Sequence, residues 1–347
     1  MPVGGETPSH QHREGISLTP ITSETIKWGI IGPGSIAQRF ADSLVTVPGA
    51  TLYAVGSRTL ARANEMADKH GAPKRYSSYE ALAADPDVQA VYIATPHPQH
   101  KDAALLCLNH GKAVLLEKPF TVNAKEAAEV IDLARAKDVF VMEAMWSRFF
   151  PAMVKVRELV ASGAIGEVRM IQADFGFRTD VNPEGRLFDL AMAGGGLLDV
   201  GVYPISLASM FLGTPTEVSG LAQIGATGVD EMAAVTLKYA GGQLASIVTG
   251  VRINTPSEAT LFGTDGSIKL HAPFWNLSKV TVNAGGKSEE LSIPYQNGGF
   301  NYEAQEVMDC LRAGKTESAI MPLAETLSVM QTMDTLRAQW GLKYPME

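Results

Sequence analysis

From Ile26 onward, short uniformly apolar runs alternate with segments whose apolar positions recur every three or four residues. IKWGII (26–31), TLYAVGS (51–57), VQAVYIAT (88–95), KAVLLEK (112–118) and VFVMEA (139–144) predict strands covered on both faces. The segments between them, at 32–47, 60–71, 101–111 and 123–138, have helical spacing, and Gly71 reads as a helix stop. Strand and helix in alternation predict a parallel sheet with helices on both faces.

Beyond about residue 146 the pattern changes. A helix is predicted over 151–163, a long strand over 167–178, and a helix over 197–213 after a glycine-rich segment. Strand-like runs then follow one another at 217–225, 232–240, 243–251, 258–264 and 267–272, separated by Gly and Asp turns. Such a succession predicts an open, mainly antiparallel sheet, and amphipathic helices over 300–314 and 323–341 close the chain. The fold class is therefore α/β: a doubly wound Rossmann domain over residues 26–146, then an α+β domain for substrate binding and oligomerisation over 147–347. An open sheet with one bare face predicts a homodimer or homotetramer built through that face. Residues 1–25 lack apolar periodicity and predict a flexible tail, in which His10 and His12 are solvated.

Composition narrows the function. A length of 347 residues agrees with two domains at ~150 residues each. With 29 Lys and Arg against 37 Asp and Glu, the net charge of −8 argues against a nucleic-acid-coating surface. No apolar stretch is expected to reach the ~20 residues of a membrane span, so no membrane partner is expected. The two cysteines, Cys107 and Cys310, lie far apart in apolar contexts, which points to a reducing cytoplasm rather than a disulfide framework. No His/Cys/Asp cluster suggests a metal.

The chemistry is concentrated in four segments. Gly32-Pro33-Gly34-Ser35-Ile36-Ala37 follows the first strand and opens a helix. Its glycines let backbone amides approach a pyrophosphate at a helix N-terminus, and Ala37 stands at the third glycine position. The second strand ends in Ser57-Arg58 with Arg62 one helical turn on, and no carboxylate is present to grip a ribose diol. Hydroxyl and guanidinium groups there suit a 2′-phosphate, hence NADP with NAD as the lesser partner. Solvated arginines at a helix start are the simpler alternative. Thr95, His97 and His100 follow the third strand and Glu117-Lys118 the next, at strand ends that face the ligand crevice of such a sheet. Finally, Asp199 and Tyr203 in GLLDVGVYP stand four residues apart and share a helix face. A tyrosine hydroxyl beside a lysine that lowers its pKa suits proton exchange in carbonyl–alcohol interconversion. The same spacing fits a dipole-favoured Asp and a packing Tyr equally well.

Together these segments resemble the glucose–fructose oxidoreductase / inositol dehydrogenase (Gfo/Idh/MocA) family. The closest likeness is to its dihydrodiol dehydrogenase / NADP-dependent D-xylose 1-dehydrogenase branch. The motifs carrying it are TPHPQHK (95–101), GKAVLLEKP (111–119), MEAMWSRFFP (142–151), GLLDVGVYP (196–204) and the region 302–341. The resemblance implies a hydride transfer between a nicotinamide and a sugar or cyclic diol. Tyr203 would exchange the hydroxyl proton, Lys118 would steady the alkoxide, and Asp199 would orient the pair. It places Gly32, Gly34, Ser57, Arg58, Arg62 and His100 at cofactor positions, joined by Ser35, Ile36, Thr95, His97, Glu117 and Lys118. Trp146, Arg148, Phe149, Phe175 and Arg178 fall where the branch lines its substrate. Tyr203 stands where the inositol branch has histidine, and His97 where asparagine is usual. Two other functions are compatible: a non-catalytic dinucleotide-binding regulator, and an enzyme of the glucose–fructose kind that never releases its cofactor.

Overall fold

The computed structural model describes residues 24–347. The expected tail lies, as far as residue 23, outside the described residues, as do His10 and His12. The first sheet is built from β1 (Ile26–Ile31), β2 (Ala50–Gly56), β3 (Lys74–Tyr76), β4 (Ala90–Ile93), β5 (Ala113–Glu117) and β6 (Val141–Ala144). Its order is β3-β2-β1-β4-β5-β6, and every pairing is parallel. Helices α1 (Ser35–Leu44), α2 (Leu60–His70), α3 (Tyr79–Ala83), α4 (His100–Asn109) and α5 (Ala124–Lys137) make the crossovers. The chain leaves β1 in one direction for β2 and later crosses to β4 on the other side. The topological switch point thus lies between β1 and β4, where ligands meet the carboxyl ends of a doubly wound sheet.

Local chemistry explains the element ends. Gly71, at φ +73°, takes the left-handed cap of α2. Asn123 accepts the Glu126 amide at 2.9 Å and so starts α5. Ile30, Ile31, Val91, Ile93, Val114 and Leu116 are fully buried, as expected of strands sandwiched between helices. The sequence pattern missed β3 and α3. Both are short, and KRY presents no apolar face at the sheet edge.

The 3-10 turn Trp146–Arg148 and α6 (Pro151–Ala161) lead into the second sheet. Its strands are β7 (Val168–Gly176), β8 (Glu217–Ile224), β9 (Asp230–Lys238), β10 (Leu244–Gly250), β11 (Ala259–Gly263), β12 (Gly266–Leu270), β13 (Lys279–Ala284) and β14 (Lys287–Ser292). The order is β14-β13-β12-β11-β7-β10-β9-β8, antiparallel except for the central β7–β10 pair. Helices α7 (Val202–Leu212) and α9 (Leu323–Trp340) pack on one face, while α8 (Phe300–Arg312) lies against α1 of the first domain. The other face carries Leu221, Ala234 and Val248 in one cross-strand row and Leu244, Met170 and Phe262 in the next but one.

One expectation is corrected. The stretch Leu190–Leu212 is 23 residues long and apolar enough, by length and composition, to cross a membrane. It is instead a core element: 83% of its apolar window is buried inside the protein.

Candidate active site

A cleft of about 510 Å³ opens along the carboxyl ends of β2, β1, β4 and β5. Ser57, Arg58, Arg62, Gly32, Gly34, Ser35, Ile36, Thr95, His97, His100, Glu117, Lys118, Trp146, Asp199 and Tyr203 all line it. Residues that the chain separates by up to 171 positions, from Gly32 to Tyr203, are therefore brought to one groove.

The β1–α1 turn is shaped for close approach. Gly32 has φ +82°, and a Cβ there would stand 2.8 Å from the Ala94 backbone. At Gly34 a Cβ would meet nothing nearer than 4.0 Å, so the space over the α1 N-terminus is open. Gly34 offers no side-chain cap, leaving the first amides of α1 to face the cleft as an anion site. Ala37 is fully buried against the sheet. Across the groove Thr95 Oγ1 is buried with no hydrogen-bond partner among the described residues. At the end of β2, Ser57 is buried while Arg58 and Arg62 are exposed at the rim. β2 and β5 stand three strand spacings apart, ~14 Å, so a ligand touching both Arg58 and Lys118 must be extended. An open helix N-terminus, a rim of guanidinium groups and an orphaned buried hydroxyl fit a dinucleotide.

At the β5 end, Lys118 Nζ donates to the Asp199 carbonyl at 2.7 Å and lies 3.8 Å from Asp199 Oδ1. It also sits 4.8 Å from the centre of the Tyr203 ring. Burial pulls the Lys118 pKa down, but Tyr203, Asp199 and Glu117 together outweigh that and leave it raised, so its ammonium is retained. Burial likewise opposes ionisation of Asp199, and the charges of Lys118 and Arg186 reverse the balance, holding its carboxyl below the usual range. Arg186 Nη1 donates to Asp199 Oδ1 at 3.0 Å. Glu117 accepts from the Tyr92 hydroxyl and from the Lys118 amide, and burial pushes its pKa up.

Asp199 lies in a π-helical turn, Leu197–Gly201, that runs directly into α7 with Tyr203 in its first turn. Trp146 Nε1 donates to Tyr203 Oη at 2.9 Å, which leaves the tyrosine proton for another acceptor. Burial raises the Tyr203 pKa by more than Lys118 lowers it, contrary to the expectation that the lysine would depress it. In the free protein Tyr203 is thus a protonated acid at neutral pH.

The two histidines differ. His97 is held near 3 by burial and by His100, so it is neutral, and its Nδ1 faces the Ala193 carbonyl at 3.2 Å. His100 is buried, with its ring nitrogens 2.8 Å from the Thr95 and Pro119 carbonyls. It therefore ties the β4 and β5 loops together, although its ring edge borders the groove.

The expected substrate lining is only partly assembled. Trp146 is in place, stacked on Phe300 at 4.4 Å. Phe175 lies behind the cleft wall, 5.5 Å from Tyr203 and stacked at 3.3 Å on Trp275. Arg148 does not reach the cleft: it is buried, and its guanidinium is consumed by Ser206, the Ile320 carbonyl and Glu325. Phe149 is buried in the core outside the groove. Arg178 is exposed away from the groove and donates to the Arg252 carbonyl at 3.1 Å. Sequence reading missed Arg39, Tyr79, Arg186, Met192 and Trp275, all of which line the cleft. The aromatic pair Phe274-Trp275 after a proline was the one available signal; the others sit in segments with no motif.

Comparison with known proteins agrees with this geometry. Residues 26–145 match the GFO_IDH_MocA oxidoreductase family, NAD-binding Rossmann fold, and residues 153–269 match the GFO/IDH/MocA C-terminal domain. The chain is 42% identical over 334 residues to trans-1,2-dihydrobenzene-1,2-diol dehydrogenase of Mus musculus, covering 93% of this chain and 99% of that one. The Homo sapiens protein of the same name is 39% identical over 334 residues, with the same coverage. Among solved structures, KijD10, a 3-ketoreductase from Actinomadura kijaniata bound to NADP and TDP-benzene, superposes with TM-score 0.81 at 25% identity, over 90% of this chain and 97% of that one. Aldose-aldose oxidoreductase from Caulobacter crescentus shares the fold, with TM-score 0.82 at 21% identity over 90% and 96% of the two chains. A glycine turn at the switch point, a lysine–tyrosine pair at the groove's far end and relatives matched along nearly the whole chain lead to one conclusion: this protein belongs to the GFO/IDH/MocA family of NAD(P)-binding oxidoreductases.

Proposed function

We propose that the protein is an NADP-preferring dehydrogenase/reductase for a cyclic diol or sugar, with Tyr203, Lys118 and Asp199 as its reacting centre. The observation that carries this reading is the convergence of Lys118 and Tyr203, ammonium 4.8 Å from ring, at the groove end remote from Arg58 and Arg62. A bound nicotinamide supplies the hydride donor or acceptor. The protein supplies everything around it. In reduction, Tyr203 Oη gives its proton to the nascent alkoxide, and in oxidation the same oxygen, as tyrosinate beside the Lys118 ammonium, takes the hydroxyl proton back. Lys118, kept charged and tied to the Asp199 carbonyl, stabilises the oxyanion. Asp199 shares its carboxylate with Lys118 and Arg186 and so holds both cations over the site. Trp146 and Trp275 offer apolar faces that exclude water and suit a flat diol or a sugar ring.

The preference for NADP rests on Arg58 and Arg62 at the end of a strand that carries no acidic residue. The face of the second sheet that the described residues leave bare supports a homodimer: Leu221 is 82% exposed, with Val248, Leu244 and Phe262 also uncovered on the same face.

The deciding experiment follows absorbance at the nicotinamide band with NADP or NAD and a panel of trans-dihydrodiols and aldoses. Turnover is expected with at least one member. Tyr203→Phe, which loses only the hydroxyl, should lower it ~100-fold or more with NADP binding unchanged. Tight NADP binding without turnover across the panel would favour a dinucleotide-binding regulator.

A further inference from the structure

The run Gly194-Gly195-Gly196 leads straight into the turn that carries Asp199, and its three residues are shaped by contacts from elsewhere in the fold. Asp230, the first residue of β9, is completely buried, and its Oδ2 accepts the Leu197 amide at 2.6 Å. Its Oδ1 has no partner among the described residues. Gly195, at φ +114°, passes so close that a Cβ would overlap Oδ1, and a Cβ on Gly196 would stand 3.3 Å from Oδ2. The carboxyl is thus seated in the N-terminal amides of the π-turn, where Gly196 provides no cap of its own. A second anchor comes from the C-terminal segment, where the Tyr344 hydroxyl donates to the Gly194 carbonyl at 2.8 Å.

The groups facing Asp230 are Tyr344 of the C-terminal segment and, from α9, Arg337, the latter already engaged by Asp334 and Glu347. Burial pushes Asp230 up to about 7, against the pull of the amides of Leu197 and Gly196 and of Arg337. A capping side chain ordinarily comes from the residue just before its helix. Here the cap comes from a strand in the sheet core, at the expense of burying an ionisable group with one oxygen unused. What such a cap achieves is to register the turn against the sheet rather than merely to end it. Asp199 lies two residues beyond the anchored amide, and its carbonyl is the acceptor that holds Lys118 Nζ.

We propose that Asp230 is a positioning residue for the reaction: by holding the Leu197 amide it sets the rotation of the π-turn, and through it the placement of Asp199, Lys118 and Tyr203. This inference rests on the reading that those three residues form the reacting centre. It assigns a role to a side chain that lines no part of the cleft.

The test compares four variants of the full-length protein by kcat, NADP dissociation constant and melting temperature. Asp230→Ala removes the acceptor, Asp230→Asn keeps an acceptor oxygen, and Leu270→Ala disturbs the buried side of β12 in the same sheet as a stability control. Tyr203→Phe tests the underlying reading. Asp230→Ala is expected to lower kcat ~30-fold or more while the NADP dissociation constant stays within ~3-fold. Asp230→Asn should restore kcat to within ~5-fold of the parent, and Leu270→Ala should melt lower yet keep its kcat. If Asp230→Ala does not fold, Asp230→Ser, whose shorter arm cannot span to the Leu197 amide, takes its place under the same criteria. A parental kcat in the acceptor-less variant would overturn the proposal, as would an equal loss of kcat in Leu270→Ala. Should Tyr203→Phe retain turnover, the reading of the reacting centre fails. An inactive Tyr203→Phe beside a fully active Asp230→Ala sinks this inference alone.

Discussion

At the scale of the residue, charge and burial contend, and the structure decides which prevails. For Lys118 its acidic neighbours win over burial; for Tyr203 burial wins over the lysine. Motif reading can name both residues but cannot rank these opposing contributions, because burial is a property of the packed molecule. Arg58 offers a simpler case, since it stands exposed at the rim of the cleft, after a strand that carries no carboxylate. Charge-assisted hydrogen bonds contribute ~1.5–3 kcal/mol each, so Arg58→Ala should raise the Michaelis constant for NADP ~10- to 100-fold and leave that for NAD nearly level. Steady-state kinetics with both cofactors checks this. An equal rise for both would mean that the arginine stacks on the adenine instead.

At the scale of the element, the β1–α1 turn shows how local sequence and tertiary contact combine. Its glycines are legible as a phosphate loop, yet the reason Gly32 must be glycine lies in the segment just after β4. The turn passes over Ala94 with a left-handed φ of +82°, and a Cβ would stand 2.8 Å from that backbone. Gly32→Ala should therefore cost about 1–3 kcal/mol of stability and weaken NADP binding, because relief requires the turn to lift off that segment. Thermal melts with and without NADP read both effects, and an unchanged melting temperature would show that the turn is free to move. Two of the strands that escaped sequence reading share one physical cause. β3, KRY, and β14, KSEELS, are edge strands with largely exposed side chains, so neither carries the apolar alternation that burial on a face imposes.

At the scale of the whole molecule, the second sheet has one face packed by α7 and α9 and one face that the described residues leave bare. Along β9 the two faces are distinct: Ala233, Val235 and Leu237 are buried while Met232, Ala234, Thr236 and Lys238 are exposed. The bare face mixes Leu221, Val248 and Leu244 with threonine and serine, a composition suited to a flat sheet-on-sheet contact between copies. Sedimentation at micromolar concentration should show a dimer, and Leu221→Lys combined with Val248→Glu should yield a folded monomer. A monomeric parent protein would refute this assembly.

What the sequence by itself determined was the order of elements, the alternation of the first domain, the succession of strands in the second, and the residues whose chemistry depends on type and neighbours: the glycine turn, the arginines after β2, Lys118, Asp199 and Tyr203. These are local properties, set by periodicity, backbone freedom and side-chain chemistry. Only the tertiary structure decided which candidates meet. It withdrew Arg148 into a buried network with Ser206 and Glu325, left Arg178 outside the groove, brought in Arg39, Arg186 and Trp275, and placed Asp230 under the turn that bears Asp199. Each of those outcomes depends on contacts between segments that lie far apart in the chain, and no local pattern encodes the distance between two side chains whose elements the fold alone brings together.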